Sequence, residues 1–271
     1  HHQDVFVGNA AVERIRQMED DHPWYMFVSF QGPHDPFDPP AELGEKYRDW
    51  PVPEPIPVQL DDKPRRIAAR YERHGHATAE DITIARRQYC GKVELIDRQV
   101  GRILAALEAR GLAEDTIVVF ASDHGEQLGD HGLFTKHTAY EHSLRVPLIV
   151  AGPGIEAGRS EAMVELFDLN PTLVELAGLP GQNRIDARSF AGVLSGEADA
   201  QRDACVTCTA DFRAIRTPTH TYIETYNDRP ELCDLEADPR QLTNIVERDP
   251  RTARDLRKRM VDRFTEAGCL R

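Results

Sequence analysis

The feature that most limits the fold of this chain is an apolar, β-branched run that ends abruptly in charged and polar residues. The run Thr116–Phe120 predicts a buried strand, and the chain continues Ala-Ser-Asp-His-Gly over 121–125. In open α/β sheets ligands bind at the carboxyl ends of strands, so Asp123 and His124 are expected where chemistry takes place. Gly125 would allow a close backbone approach. Because two ligands do not complete a coordination sphere, the pair predicts one half of a metal site.

Length, composition and net charge limit the partners of the chain. With 271 residues, 40% of them hydrophobic, the chain is long enough to bury one large core, or a large and a small one. The formal net charge of −13 argues against nucleic acid as a partner, because binding to it depends on positive surfaces. No apolar run approaches the roughly 18 residues that cross a bilayer, so no membrane partner is expected.

The cysteines do not have the pattern of a disulfide framework. Their number is odd and their spacing is wide, so we interpret them as reduced thiols. The five are Cys90, Cys205, Cys208, Cys233 and Cys269. Cys205 and Cys208 have CxxC spacing, but no second pair accompanies them and they lie in a β-like stretch. We interpret this pair as structural, in preference to a zinc or redox motif.

Helical and strand patterns alternate along the first 200 residues, which predicts an α/β domain. The predicted helices cover 8–20, 80–110, which ends at Gly111, and a stretch that starts at Asn170–Pro171 and ends at Gly178. The predicted strands cover 24–30, 116–121 and 146–150. The proline-dense stretch 38–64 is predicted to be irregular.

The pattern of apolar and polar residues changes at about residue 204. Four short alternating segments predict a small antiparallel sheet, and a helix is predicted over 250–267. The segments are 205–209, 212–216, 219–226 and 231–235. We therefore predict an α/β domain over 1–200 and a small α+β subdomain over 201–271.

Polar side chains with catalytic capacity follow the predicted strands at three places. They are His34, the Asp123–His124 pair and Lys136. Each has an ordinary structural alternative, namely turn capping for His34 and Asp123 and a solvated surface position for Lys136. Their joint occurrence in strand-end loops, which converge in space, favours a functional site. His131 and His137 are interpreted as ordinary loop histidines.

Taken together, seven motifs resemble the sulfatase family of the alkaline-phosphatase-like superfamily. They are Gly32–Phe37 (GPHDPF), the helix 89–107, Ser122–Gly132 (SDHGEQLGDHG), Lys136 with Tyr140–Glu141, Leu144–Val150 (LRVPLIV), Phe212–Pro218 (FRAIRTP) and Glu231–Pro239 (ELCDLEADP). The motifs occur in the family's order and cover essentially the whole chain. The resemblance implies an α/β sandwich with a mostly parallel central sheet flanked by helices, followed by a small antiparallel-sheet-and-helix subdomain.

The resemblance also implies roles for the candidate residues. Asp123 and His124 match part of the divalent-cation site, in which many members carry Asn at the second position. Lys136 matches the lysine that contacts the sulfate and the bridging oxygen, and His34 matches a histidine near the leaving group. A sulfate ester that loses its alcohol needs such a cation, ammonium group and proton donor. Oxygen ligands favour Ca²⁺, with Mg²⁺ or Mn²⁺ as alternatives.

The chain departs from the family's pattern at the nucleophile. Sulfatases attack through a formylglycine made from the Cys or Ser of a C/S-x-P-x-R motif, and no Cys or Ser here has those neighbours. The chain also opens on His1 and His2, without Met or a signal peptide. We expect the formylglycine in an N-terminal segment of the same protein that precedes His1, a tag remnant being the alternative explanation of the start.

The sequence leaves three functions open. The first is a sulfuric ester hydrolase that acts on a small-molecule sulfate ester. The second is a phosphonate monoester or phosphodiester hydrolase of the same superfamily, and the third is a non-catalytic remnant. For this chain by itself we expect no activity and weak metal binding at Asp123 and His124. An apolar sheet edge left open would also favour a homo-oligomer.

Overall fold

The computed structural model of the protein describes residues 2–19, 21–74, 76–181 and 186–268. The α-helices are α1 (Gln3–Gln17), α2 (Ala41–Lys46), α3 (Arg65–His74), α4 (Ala79–Ala109), α5 (Glu141–Leu144), α6 (Leu169–Leu176), α7 (Ala191–Leu194) and α8 (Pro250–Glu266). The strands are β1 (Val118–Ala121), β2 (Leu148–Ala151), β3 (Cys205–Cys208), β4 (Phe212–Arg216), β5 (His220–Thr225) and β6 (Glu231–Asp234).

The chain divides into two compact units, which do not follow the order of the sequence. One unit contains His1–Pro55 and Ala77–Val118, and the other contains Ile56–His76 and Val119–Arg271. The second unit therefore includes the four-stranded sheet and also the chain that follows β1. The predicted boundary after residue 200 stays a prediction.

In the first unit α1 packs on the long helix α4. Their apolar faces form a cluster that contains the buried residues Val12, Ile15, Ala106 and Leu107. Helix α4 starts one residue before the predicted position and ends at Ala109, which confirms the prediction. Its start is fixed by a capping box of Thr78 and Asp81, and its end is followed by Gly111 with a φ of 68°.

Helix α1 starts five residues before the predicted Gly8. The side chain of His2 accepts a hydrogen bond from the backbone N–H of Asp4, so the helix has an N-cap that the apolar period does not show. The predicted end at Asp20 lies outside the described residues, and α1 ends at Gln17.

The prediction of a buried strand over 24–30 is wrong. These residues belong to no sheet of the described structure, and the side chains of Tyr25 and Phe27 are 75% and 78% exposed. Met26, between them, packs on the cluster of α1 and α4. The apolar run is therefore in part buried through Met26 and in part exposed through Tyr25 and Phe27.

The irregular excursion 38–64 is interrupted by a helix that the sequence reading does not predict. Helix α2 spans Ala41–Lys46, where proline is absent, and it packs against α4 with Leu43 buried. The rest of the stretch contains no helix or strand, as predicted.

In the second unit the predicted strands are present. Strands β1 and β2 form a two-stranded sheet, and β3–β6 form a four-stranded antiparallel sheet in the order of the sequence. Helix α8, predicted over 250–267, packs on this sheet through Leu256, Met260 and Phe264. The alternating period of the four segments therefore placed each strand correctly.

Helix α6 corrects one predicted cap. Asn170 lies inside the helix, whose N-cap is Asp168 at the end of a preceding 3₁₀ turn, Leu166–Asp168. A capping box of Glu165 and Asp168 fixes this turn, and the carboxylate of Asp168 accepts from the backbone N–H of Glu165 and makes no side-chain cap to α6. Gly178, with a φ of 66°, ends the helix as predicted.

The CxxC pair lies on β3, and both of its thiols are free, as predicted. The two positions are three residues apart along the strand, an odd number, so their side chains point to opposite faces of the sheet. Burial raises the pKa of Cys205 to about 12, which makes this thiol a poor nucleophile and metal ligand. Cys90 and Cys233 are also free, and Cys269 lies outside the described residues.

A buried polar cluster joins the chain before α5 to the four-stranded sheet. The hydroxyl of Tyr140 donates a hydrogen bond of 2.9 Å to Glu231 of β6, and the ammonium of Lys63 lies 3.2 Å from the same carboxylate. Lys63 also donates to the carbonyl of Gln241 at 2.7 Å. Because the site is fully buried, the pKa values of Tyr140 and Glu231 are both raised, first by desolvation.

His131 packs against this cluster. Its ring lies 4.5 Å from the ring of Tyr140, centroid to centroid, and only 3% of the residue is exposed. Burial, followed by the positive charge of Lys63, lowers the pKa of His131 from 6.5 to about 4. The imidazole is therefore neutral in the folded protein at neutral pH.

His131 should make the stability of the protein fall with decreasing pH. Its pKa is lower in the folded state, so its contribution is complete above pH 6.5 and is lost as the pH falls towards 4. At about 1.4 kcal/mol for each pKa unit, this amounts to about 3 kcal/mol. The free energy of unfolding of the wild-type protein is measured by urea titration at pH 7 and at pH 4. We expect the difference between the two values to be smaller in His131→Gln, by the contribution of His131.

The matched control is His22→Gln, because the side chain of His22 is 82% exposed. This control should keep the pH dependence of the wild-type protein. An unchanged pH dependence in His131→Gln would show that His131 is not the titrating group.

Candidate active site

Asp123 and His124 follow β1 after one residue, Ser122, at the end where the strand enters a loop, as predicted. The loop closes on itself, because the hydroxyl of Ser122 donates to the carbonyl of His124 at 2.8 Å. The N–H of Gly125 donates to the carbonyl of Ser143 at 2.9 Å. A Cβ atom at Gly125 would lie 1.9 Å from the carbonyl oxygen of His142, so the close backbone approach requires glycine.

The chemistry of the pair fits part of a cation site. The Asp123 side chain is 85% exposed, and its Oδ2 lies 3.7 Å from Nε2 of His124. The other ring nitrogen, Nδ1, lies 2.8 Å from the carbonyl oxygen of Gly125. A histidine that donates Nδ1–H to a carbonyl presents the lone pair of Nε2 to a metal. The described residues contain no group of three or more His, Cys, Asp or Glu side chains that could hold a metal, so the pair provides two donors.

Lys136 lies in the loop that precedes α5, in the same unit, and is half-buried. The next residue, His137, is exposed, and its pKa is lowered by desolvation and then by the positive charges of Arg70 and Lys136. His124 contributes to the same shift, so His137 lies within electrostatic range of His124 and Lys136. The lowered pKa therefore favours the neutral form of the His137 imidazole.

His34 belongs to the first unit. Its Nδ1 lies 2.8 Å from the carbonyl oxygen and 3.1 Å from Oδ1 of Asp35, and 40% of its side chain is exposed. Lys92 of α4 fixes this loop, because its ammonium donates hydrogen bonds to the carbonyls of His34 at 2.8 Å and Pro36 at 3.0 Å. The structure therefore places His34 in one unit and Asp123, His124 and Lys136 in the other.

The sequence reading missed three residues that support the site. Lys92 has a side chain only 5% exposed, although a lysine on an amphipathic helix is ordinarily solvated. Arg70 and Glu126 both contact Thr135, the residue before Lys136. A signal existed for Lys92, which lies four residues before the buried Ile96 on the same face of α4.

Solved structures of the same architecture are known. The chain superposes with a TM-score of 0.86 and 23% identity on a protein solved with its substrate D-glucosamine-2-N,6-O-disulfate, covering 98% of this chain and 70% of that one. Phosphonate monoester hydrolase of Agrobacterium radiobacter gives a TM-score of 0.84 and 25% identity, covering 98% of this chain and 61% of that chain. The class of the protein is therefore the alkaline-phosphatase-like α/β fold, which confirms the predicted fold class.

Sequence comparisons define the family within this class. Residues 2–179 match the family model described as Sulfatase, and residues 129–268 match N-sulphoglucosamine sulphohydrolase, C-terminal. The chain is 32% identical to choline-sulfatase of Rhizobium meliloti and 29% identical to arylsulfatase of Clostridium perfringens, over 90% of its length in both cases. The chain belongs to the sulfatase family. It spans 51% and 54% of these two relatives, about half of their length.

None of the described helices combines the length and the apolar composition that crossing a bilayer requires.

Replacement of Lys92 should loosen the loop that carries His34. In Lys92→Met the carbonyls of His34 and Pro36 lose a buried donor, which costs about 1–3 kcal/mol of folding free energy. We expect a lower free energy of unfolding and faster amide hydrogen exchange over residues 31–38.

Lys46→Met is the matched control. The Lys46 side chain is 50% exposed and pairs with Glu94, a contact of a kind that contributes about 0–1 kcal/mol. Equal stability losses in the two variants would contradict the structural role of Lys92.

Proposed function

We propose that the full-length protein hydrolyses sulfate esters of small molecules, with Asp123, His124, Lys136 and His34 in the reaction. The observation that carries the proposal concerns two neighbouring segments of a sulfatase-family chain. The exposed Asp123–His124 pair is followed closely by Gln127, whose backbone N–H donates at 3.1 Å to the carbonyl of Thr135, the residue before Lys136. Sulfate ester cleavage spreads negative charge over the nonbridging oxygens and the departing oxygen. This reaction therefore needs a positively charged group beside the nonbridging oxygens and a proton donor beside the departing oxygen.

The donor pair would hold a divalent cation through a carboxylate oxygen of Asp123 and Nε2 of His124. Ca²⁺ is the first candidate, with Mg²⁺ or Mn²⁺ as alternatives, because one ligand is a hard oxygen and the other an imidazole. When bound, such an ion supplies positive charge that stabilises the sulfate oxygens in the transition state.

Lys136 and His34 have separate tasks in this proposal. The ammonium of Lys136 donates hydrogen bonds to the sulfate and stabilises the negative charge that develops on its oxygens. His34 gives a proton to the leaving alcohol. Because Nδ1 of His34 faces the carbonyl oxygen of Asp35, Nε2 is the atom from which the proton is transferred.

In the proposed reaction the nucleophile would be a formylglycine, a group that would supply the attacking oxygen. None of the Cys or Ser residues of the 271-residue sequence stands in the C/S-x-P-x-R motif from which formylglycine is made. The proposal therefore assigns the nucleophile to a part of the protein outside this sequence.

A phosphonate monoester is the second candidate substrate. The observation that favours it is the 25% identity and TM-score of 0.84 with phosphonate monoester hydrolase of Agrobacterium radiobacter. A cation, an ammonium group and a proton donor serve a phosphonate as well as a sulfate. Sulfate remains the first candidate because the curated relatives above are a choline-sulfatase and an arylsulfatase.

The substrate class is tested with the full-length protein on two chromogenic esters. We expect kcat/KM for 4-nitrophenyl sulfate to exceed that for 4-nitrophenyl phenylphosphonate, because the site is proposed to fit a sulfate. Phosphonate or phosphodiester turnover greater by orders of magnitude would refute the sulfatase proposal. Absence of turnover with every ester would favour a non-catalytic remnant.

The role of Lys136 is tested by Lys136→Ala in the same protein. Loss of one charged donor to the transition state is expected to lower kcat/KM by about 10²–10³-fold while the melting temperature is kept. Lys258→Ala is the control, because Lys258 is 77% exposed and pairs with Asp262 on α8. A wild-type rate in Lys136→Ala would remove this lysine from the site.

A further inference from the structure

Lys136 lies between two residues with left-handed backbone conformation. The φ angles of Thr135 and His137 are 65° and 49°, and those of Leu128 and His131 in the same loop are 47° and 57°. Four of the six non-glycine residues with positive φ in the described part of the chain thus fall within 128–137. A β-branched residue such as Thr135 rarely adopts this conformation, which persists only where surrounding contacts impose it.

One carboxylate oxygen of Glu126 bonds two separate positions of the loop 128–137. Oε1 of Glu126 accepts hydrogen bonds from the backbone N–H groups of Leu128, at 3.2 Å, and Thr135. Both donors belong to residues with positive φ. Glu126 therefore fixes the loop at the residue that immediately precedes Lys136.

Gln127 and Arg70 form the other hydrogen bonds that fix Thr135. The backbone N–H of Gln127 donates to the carbonyl of Thr135 at 3.1 Å. Arg70 of α3 donates to the hydroxyl of Thr135 and to the carbonyl of Phe134, both at 3.3 Å. All three polar groups of Thr135 are thereby bonded, and the negative charge of Glu126 acts on the Arg70 guanidinium.

The chain beyond Lys136 is held in the same manner. The side chain of Gln127 is fully buried, and its amide donates to the hydroxyls of Thr138 at 2.6 Å and Ser143 at 2.8 Å. Lys136 therefore lies between two fixed points, Thr135 and Thr138. Glu126 and Gln127, which hold them, follow the donor pair Asp123–His124 after a single glycine.

From this geometry we infer that Glu126 is a positioning residue that sets Lys136 relative to the Asp123–His124 pair. The inference rests on the proposed role of Lys136 in ester cleavage. Glu126 acts through the backbone of Thr135 and does not touch the substrate. A displacement of about 1 Å at a catalytic group can cost about 10²-fold in rate, so a bond this close to Lys136 is expected to affect kcat.

A double-mutant cycle on the full-length protein with 4-nitrophenyl sulfate tests the inference. We expect Glu126→Ala and Glu126→Asp to lower kcat by about 10–100-fold with little change in KM, because neither side chain reaches both N–H groups. Glu126→Gln, which keeps Oε1, should restore most of the rate. In the Lys136→Ala background the same substitutions should change kcat less than about 3-fold.

The result that would overturn the inference is an equal loss of kcat with and without Lys136, since a merely structural role adds independently. Glu108→Ala is the matched control, because Glu108 is exposed near the end of α4 and should leave kcat unchanged. The more conservative Glu126→Asp keeps the test valid if the alanine variant does not fold.

Amide hydrogen exchange provides a readout that does not depend on activity. Glu126→Asp should accelerate exchange at Leu128 and Thr135, the two N–H groups that the carboxylate accepts, and Glu108→Ala should not. Unchanged exchange at both N–H groups would show that Glu126 does not fix the loop. If no ester is hydrolysed, the proposed function fails, whereas the exchange data still decide whether Glu126 fixes the loop. If turnover occurs on the phosphonate instead, the cycle is run with that ester.

Discussion

The hydrogen bond from the Tyr140 hydroxyl to the Glu231 carboxylate is the contact on which the candidate site depends. It ties the end of the loop that carries Lys136 to β6, and Lys63 neutralises the buried carboxylate. Loss of one partner of such a buried pair typically costs about 3–5 kcal/mol, because a charge remains without compensation. The adjacent Glu141 reinforces the attachment by a two-point ion pair with Arg216 of β4, at 3.0 and 3.1 Å. The site loop therefore spans two fixed ends, β1 and the antiparallel sheet.

The proposed role of Lys136 requires a local positive charge in a chain whose net charge is −13. The field at one site of a protein can differ in sign from the field that the total charge produces. Desolvation and the nearby Arg70 and Lys136 lower the pKa of His137, so this imidazole is neutral at neutral pH. In the proposed function the positive group of this loop is Lys136, and Glu126 bonds the residue that precedes it.

Much of the fold could be predicted from the sequence, because its signals are local. Helix α4 is long and amphipathic and is bounded by Thr78 and Gly111, and the strands of the antiparallel sheet alternate with a period of two. The stretch 24–30 was predicted wrongly because an apolar run shows that burial is favoured but does not show which strand will pair with it. The early start of α1 depends on a histidine cap, which is not among the usual capping residues.

The candidate site could be predicted only in part. Asp123 and His124 were found because they directly follow a strand, and their roles, like those of His34 and Lys136, stay predictions. The supporting contacts were not predictable, since Lys92 binds carbonyls 56 and 58 residues away and Arg70 reaches a hydroxyl 65 residues away. Such contacts exist only after the chain has folded, whereas a strand end is visible in the sequence itself.

The most direct test of the central claim is a crystal structure of the full-length protein grown with Ca²⁺ and soaked with sulfate. The account predicts a cation bound to Asp123 and to Nε2 of His124, and a sulfate within about 3.2 Å of Nζ of Lys136. A cation and a sulfate bound elsewhere, with Lys136 directed away from both, would contradict it.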